Sequence, residues 1–150
     1  MKTRGFEIVS VYAAEGIHLP ERKTGASTGY DFASAADVEI LPGACALVPT
    51  GGKAYMQTDE VLLIYIRSST AIKKHLMLMN NVGVIDADYY GNAENEGHIF
   101  IPLYNYSPET VRIAAGERIA QGIFTKYLTV DGDAPGSGSA RSGGFGSTGQ

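Results

Sequence analysis

The chain has no tryptophan and one cysteine, Cys45, among its 150 residues, so no internal disulfide staples it. Its stability must come from a hydrophobic core, and this length suffices for one domain that buries most of its unfolded surface. A basic excess is also missing. Twelve Lys and Arg against sixteen Asp and Glu leave a net charge of -4, which argues against any broad surface for a nucleic-acid backbone. No apolar run approaches a bilayer span, and Lys2, Arg4 and Glu7 interrupt the stretch after Met1 where a signal peptide would carry its apolar segment. The expectation is a cytoplasmic protein that binds neither membrane nor nucleic acid. His18, His75 and His98 have no ligand spacing to one another or to Cys45, which leaves a structural zinc site unsupported. Long helical periodicity is absent too, and only residues 69–75 could form a helix.

What is present is a series of short apolar runs divided by turns. Runs at 6–12, 38–41, 46–48, 53–56, 61–66, 76–79, 99–106, 111–113 and 119–130 read as strands, separated by signals such as Leu41-Pro42-Gly43, Pro49-Thr50-Gly51-Gly52 and Ala115-Gly116-Glu117. This pattern predicts an all-β sandwich or jelly roll rather than alternating βαβ units. Cys45 lies in an apolar run and reads as a buried thiol, and the alternating Met77 and Met79 read as core. From Asp131 the composition shifts to Gly, Ser, Ala and Pro, which cannot build a core. The expected organisation is a β core at 1–130 and a C-terminal arm at 131–150. That arm reads either as a disordered end or as a lid, with Arg141 offering a guanidinium to phosphate and Phe145 a ring for stacking.

The most informative stretch is N-N-V-G-V-I-D-A-D-Y-Y-G-N at 80–92. β-branched residues between two turn signals predict a hairpin, and the missing Cβ of Gly83 would let a planar ring approach the main chain. Backbone N–H and C=O groups could then match the edge of a base, with Asp86 placed as a general base and Tyr89 presenting a flat face. An Asp-rich turn with two half-buried tyrosines is the plainer alternative. Arg67-Ser68-Ser69, at the passage from a strand into the candidate helix, reads equally as an anion site or as a serine cap beside a surface arginine. The string Gly144-x-Gly146-x-x-Gly149 lacks the strand and helix of a dinucleotide site, and Gly51-Gly52-Lys53 lacks the spacing of a P-loop. Any metal should be Mg²⁺ carried by phosphate oxygens and water, with Asp31 in its outer shell.

Taken in order, Thr28-Gly29-Tyr30-Asp31-Phe32, Arg67-Ser68-Ser69, residues 80–91, Arg118-Ile119-Ala120-Gln121 and residues 141–149 resemble the five motifs of the homotrimeric dUTPases. The resemblance spans most of the chain. It implies a jelly roll or distorted β-barrel assembled as a trimer, each active site drawing on three subunits and closed by a flexible C-terminal arm. The implied reaction is hydrolysis of dUTP to dUMP and pyrophosphate by water attack on the α-phosphorus, which keeps uracil out of DNA and supplies dUMP for dTMP synthesis. It implies that Asn80, Val84 and Ile85 hold uracil and deoxyribose, that Asp86 activates the water, and that Tyr89 lies under the sugar and disfavours a 2′-hydroxyl. Arg67, Ser68, Ser69 and Gln121 match the phosphate contacts. Phe100 lines the site, and Arg141, Phe145, Gly146, Ser147 and Thr148 belong to the arm. Asp31 matches the acid behind the Mg²⁺ shell.

The chain departs from the family pattern in three places. Ile66 and Ser69 stand where Pro and Gly are common, residues 92–97 look like an insertion, and Arg141 precedes Phe145 by four residues where many members have five. Two rival functions share the fold. A dCTP deaminase would need a Glu on the strand after the 80–92 stretch, where Pro102 falls instead. A nucleotide-sensing regulatory protein would use residues 92–97 as a partner surface, and the insertion is its only support.

Overall fold

The computed structural model describes residues 1–136 and 143–144. Eleven short strands and one helix follow one another in the order β1 (Gly5–Ile8), β2 (Tyr30–Ala33), β3 (Val38–Ile40), β4 (Cys45–Pro49), β5 (Gly52–Tyr55), β6 (Glu60–Ile66), α1 (Ser68–Lys74), β7 (Leu76–Leu78), β8 (Gly83–Asp86), β9 (Phe100–Asn105), β10 (Val111–Ile113) and β11 (Arg118–Lys126). Every pairing is antiparallel, in sheets of order β2-β11-β6-β8, β4-β9-β7, β1-β5 and β10-β3. The neighbours are mostly distant in sequence, which is the wrapped connectivity of a distorted jelly roll and agrees with the all-β expectation.

Between the sheets lies one core that includes Phe32, Leu62, Ile64, Ile101, Leu103 and Ile119. β6 runs through the centre of the four-stranded sheet, its registers pairing Ile64 with Gly122 on one side and with Gly83 on the other. Gly122 is required by packing. A Cβ there would stand 2.7 Å from the Phe32 ring and 3.0 Å from a Leu62 methyl. Helix α1 covers the expected segment, buries only Thr70, and ends at His75 in the left-handed region with φ 55°. Lys73 and Lys74 in its last turn suit the negative end of the helix dipole. Among the described residues no helix is long and apolar enough to cross a membrane.

Several expectations are corrected. The strand expected at 6–12 stops at Ile8. Ser10–Tyr12 forms a 3₁₀ turn, and this lets Val9, the second of two adjacent apolar residues, enter the core. The strand expected at 119–130 stops at Lys126, which pairs with Glu60 at the start of β6. Beyond that partner Leu128 and Val130 are exposed. Residues 80–92 are not a self-paired hairpin. They hold one strand, β8, whose partner is β6, followed by a 3₁₀ turn at Ala87–Tyr89. Cys45 is exposed, because the alternation of β4 turns Ala46 and Val48 inward and Cys45 and Leu47 outward. Met77 and Met79 are exposed for the same reason, the leucines of β7 having taken the inner face.

Candidate functional site

Strand β8 is the edge of its sheet, so among the described residues no strand pairs with its outer side. Alternate backbone N–H and C=O groups of an edge strand are thereby left for a ligand. Beside it opens a cavity of about 160 Å³ whose walls include Asn80, Gly83, Val84, Ile85, Tyr89 and Phe100, with Asp86 at one end. All four residues of β8 line it, as they can from the open side of an edge strand, although the pleat buries Gly83 and Ile85 and exposes Val84 and Asp86. A Cβ on Gly83 would stand 3.1 Å from Ile64 and 3.8 Å from the Asn80 amide, so glycine keeps the strand close against its neighbours.

Tyr89 is 3% exposed and held at its hydroxyl, which donates to the His98 carbonyl at 2.5 Å and accepts from the Asn95 amide at 3.0 Å. The residue that owns that carbonyl supports the cavity wall as well. The His98 imidazole packs on Phe100 with ring centroids 4.2 Å apart, and its Nε2 accepts the Gly51 N–H at 2.9 Å. Burial pushes the His98 pKa below its ordinary value, with the nearby Glu96 charge opposing in part.

The remaining candidates gather elsewhere. Arg67 Nε lies 3.4 Å from Asp31 Oδ1, and Arg118 Nη1 donates to Asp31 Oδ2 at 3.2 Å. Arg67 also donates to the Arg118 carbonyl. Gln121 sits opposite Asp31 in the β11–β2 ladder, with its side chain against Gly29. Arg67, in extended backbone, precedes the helix as its cap residue, and Ser68 is the first helical residue. Ser68 and Ser69 are both exposed there. The serine-cap alternative is therefore displaced by one position.

Two corners of one sheet thus hold the predicted residues. Asp31 on β2 aligns with Tyr65 through Gln121, whereas Asp86 on β8 aligns with Val61. Three interstrand steps of about 4.8 Å and four residues of about 3.3 Å separate the two carboxylates by roughly 20 Å. Arg67 is tied to the far corner by its ion pair. Within one chain it cannot act on the same atoms as Asp86.

Arg141, Phe145, Gly146, Ser147 and Thr148 lie outside the described residues. Gly144 does line the cavity, packed so closely that a Cβ would meet the Tyr89 ring at 2.6 Å. Sequence reasoning left Arg118 and Gly144 out of the candidate site. The signal for Arg118 was its place at the head of the fourth motif, and the register that carries it to Asp31 supplies the rest. Pro102 also lines the cavity, and β9, F-I-P-L-Y-N, brings no acid to it.

A model of the dUTPase family matches residues 15–149. The chain belongs to the dUTPase family. It is 52% identical over 149 residues to the deoxyuridine 5′-triphosphate nucleotidohydrolase of Lactococcus lactis, covering 99% of either chain. The corresponding enzyme of Laribacter hongkongensis is 37% identical over 137 residues, 87% of this chain and 88% of that one. The crystal structure of the dUTPase from Streptococcus mutans superposes with a TM-score of 0.82 at 52% identity, covering 85% of this chain and 99% of that one. A more distant dUTPase, from phage phi11 of Staphylococcus aureus, shares the fold at 22% identity with a TM-score of 0.72, and its mutant structure contains a coordinated structural Mg(II) ion. The β scaffold of this dUTPase-family chain is therefore one that solved members of the family share.

Among the described residues no three His, Cys, Asp or Glu side chains converge on a metal site. Both Asp31 oxygens already face arginines. These donors do not make a protein cage for Mg²⁺. They fit the other mode of binding, in which the ion keeps its waters and rides on substrate phosphates.

Proposed function

We propose that this chain hydrolyses dUTP to dUMP and pyrophosphate by attack of water on the α-phosphorus. The observation that carries this reading is the cavity beside the edge strand β8, which brings Gly83, Asn80, Tyr89, Phe100 and Asp86 to one place. Uracil presents donors and acceptors along one edge, and an edge strand offers the complementary set with the Asn80 amide beside it. The Tyr89 ring takes the apolar face of deoxyribose, and its fixed position leaves no room for a 2′-hydroxyl. Val84 and Ile85 complete the wall.

Asp86 accepts the proton of the attacking water as the new P–O bond forms, and the bond from the α-phosphorus to the β-bridging oxygen breaks to release pyrophosphate. Arg67, Ser68, Ser69 and Gln121 stabilise the charge on the phosphates. Because their corner lies roughly 20 Å from Asp86 along the same sheet, a second copy of the chain must supply them, and the assembly is a homotrimer with composite sites. Asp31 would stand in the outer shell of a Mg²⁺ carried by the substrate phosphates, and that ion would supply neutralisation of part of their charge. The arm, with Arg141, Phe145, Gly146, Ser147 and Thr148, excludes bulk water and stacks on the base. We place the reaction in the cytoplasm. The deaminase alternative has no acid on β9 to support it.

The test is pyrophosphate release from dUTP with Mg²⁺, beside dCTP, dTTP and UTP, with Asp86→Asn as control. Release from dUTP alone, lost in the mutant, is the expected result. Ammonia release from dCTP would overturn the reaction assigned here.

A further inference from the structure

The loop at residues 92–97 is not a loose excursion. Asn92 is 6% exposed and its side chain donates to the Tyr89 carbonyl and to Asn95 Oδ1, while its Oδ1 accepts the Glu94 and Asn95 N–H groups. Asn95 Oδ1 also accepts the Gly97 N–H at 3.0 Å. Gly97 has φ 97°, and a Cβ there would come within 2.9 Å of the Tyr89 carbonyl oxygen. At its far side Glu96 binds the Ser10 hydroxyl and N–H and pairs with Lys53, which pins the loop to the body of the domain.

This closed loop touches the proposed site twice. The Asn95 amide donates to the Tyr89 hydroxyl, and the Glu94 carboxylate occupies the place that a side chain on Gly143 would take. Gly144, the next residue, lies against the edge of the same Tyr89 ring. Sugar platform and arm therefore share one support. We propose that Asn95 is a positioning residue for sugar selectivity. Through the Tyr89 hydroxyl it holds the ring at the depth that admits deoxyribose and excludes ribose, and the same ring edge sets where the arm passes at Gly144. This inference rests on the reading of Tyr89 as the platform under the sugar.

Asn95→Asp reverses the interaction. It retains an oxygen for the Gly97 and Asn92 donors but replaces the N–H given to Tyr89 with a carboxylate oxygen, which faces a hydroxyl whose own proton is committed to the His98 carbonyl. Loss of one such bond should lower the ratio of kcat/KM for dUTP over UTP about fivefold, with Tm changed little. Tyr89→Phe should lower it comparably, and the double variant should show no further loss, because both act through the same hydroxyl. A ratio in Asn95→Asp unchanged from the wild type, or a double variant showing the full product of the two losses, would overturn the proposal. Exchange of the Gly144 amide, followed by NMR without nucleotide, tests the coupling to the arm separately from catalysis. Asn95→Asp should accelerate it severalfold, and unchanged exchange would refute that coupling. A wild type that fails to hydrolyse dUTP would instead refute the function proposed above, and would leave the exchange result to be read on its own.

Discussion

Two inactive variants should restore one another. Asp86→Asn removes the base and Arg67→Ala a phosphate contact, and each alone should fall by about a hundredfold or more in kcat/KM. If each site joins Asp86 of one subunit to Arg67 of another, as the roughly 20 Å between the two corners of the β2-β11-β6-β8 sheet demands, then mixed trimers contain intact sites. A site is intact when its Asp86 comes from an Arg67→Ala chain and its Arg67 from an Asp86→Asn chain. Random assembly of equal amounts makes this true of about one quarter of sites. The assay is to mix the variants in denaturant, refold by dilution and follow pyrophosphate release from dUTP. About a quarter of the wild-type rate is expected. Mixed preparations no more active than the better parent, with the subunits shown to have exchanged, would refute the composite site. Arg67 and Asp86 would then have to meet within one chain, against the strand geometry.

Other outcomes follow from the same contacts. Gly122→Ala places a methyl group 2.7 Å from the Phe32 ring and 3.0 Å from Leu62, both fully buried. Overpacking of this kind costs about 1–3 kcal/mol, more than the chain-entropy gain of removing a glycine, so the urea midpoint should fall with the slope unchanged. An equal or higher midpoint would mean that the core yields there. His98 is held neutral by burial, below its ordinary 6.5. The unfolded chain takes up that proton first, so stability is full above about pH 6.5 and declines as pH falls toward the lower folded pKa. His98→Gln keeps an acceptor for Gly51 and should flatten Tm between about pH 7 and about pH 5; an unchanged slope would assign the acid sensitivity to other groups. Chelation of Mg²⁺ should abolish turnover while leaving the Tm of the nucleotide-free protein where it was, since no described cluster of carboxylates cages an ion. A large fall in Tm on chelation would point to a resident structural metal.

The strands at 38–40, 60–66, 111–113 and their turns could be read from alternation and from Gly and Pro, because these signals act over a few neighbouring residues. Gly43, Gly51 and Gly116 do take positive φ where the turns were expected. The motif residues were legible through their resemblance to a family pattern, which depends on residue identity and order in the chain whatever their distance from one another in space. The misreadings share a cause. Cys45 and Met77 stand on strands apolar on both faces, and Met79 directly follows β7, where a period of two cannot say which face looks inward. The hairpin expected at 80–92 failed because β8 found its partner in β6, and pairing across such a distance leaves no local mark.

Sequence alone determined the β class, the turn positions and the identity of the groups available for chemistry, since propensity and side-chain type are properties of short segments. Tertiary structure decided which of those groups meet. Registers across β2, β11 and β6 carry Arg118 to Asp31, β8 stands at the edge of its sheet with no further strand beside it among the described residues, and the closed loop at 92–97 brings Asn95 to the Tyr89 hydroxyl. These juxtapositions depend on strand order and register, which are set by packing of the whole core rather than by any one stretch of the chain.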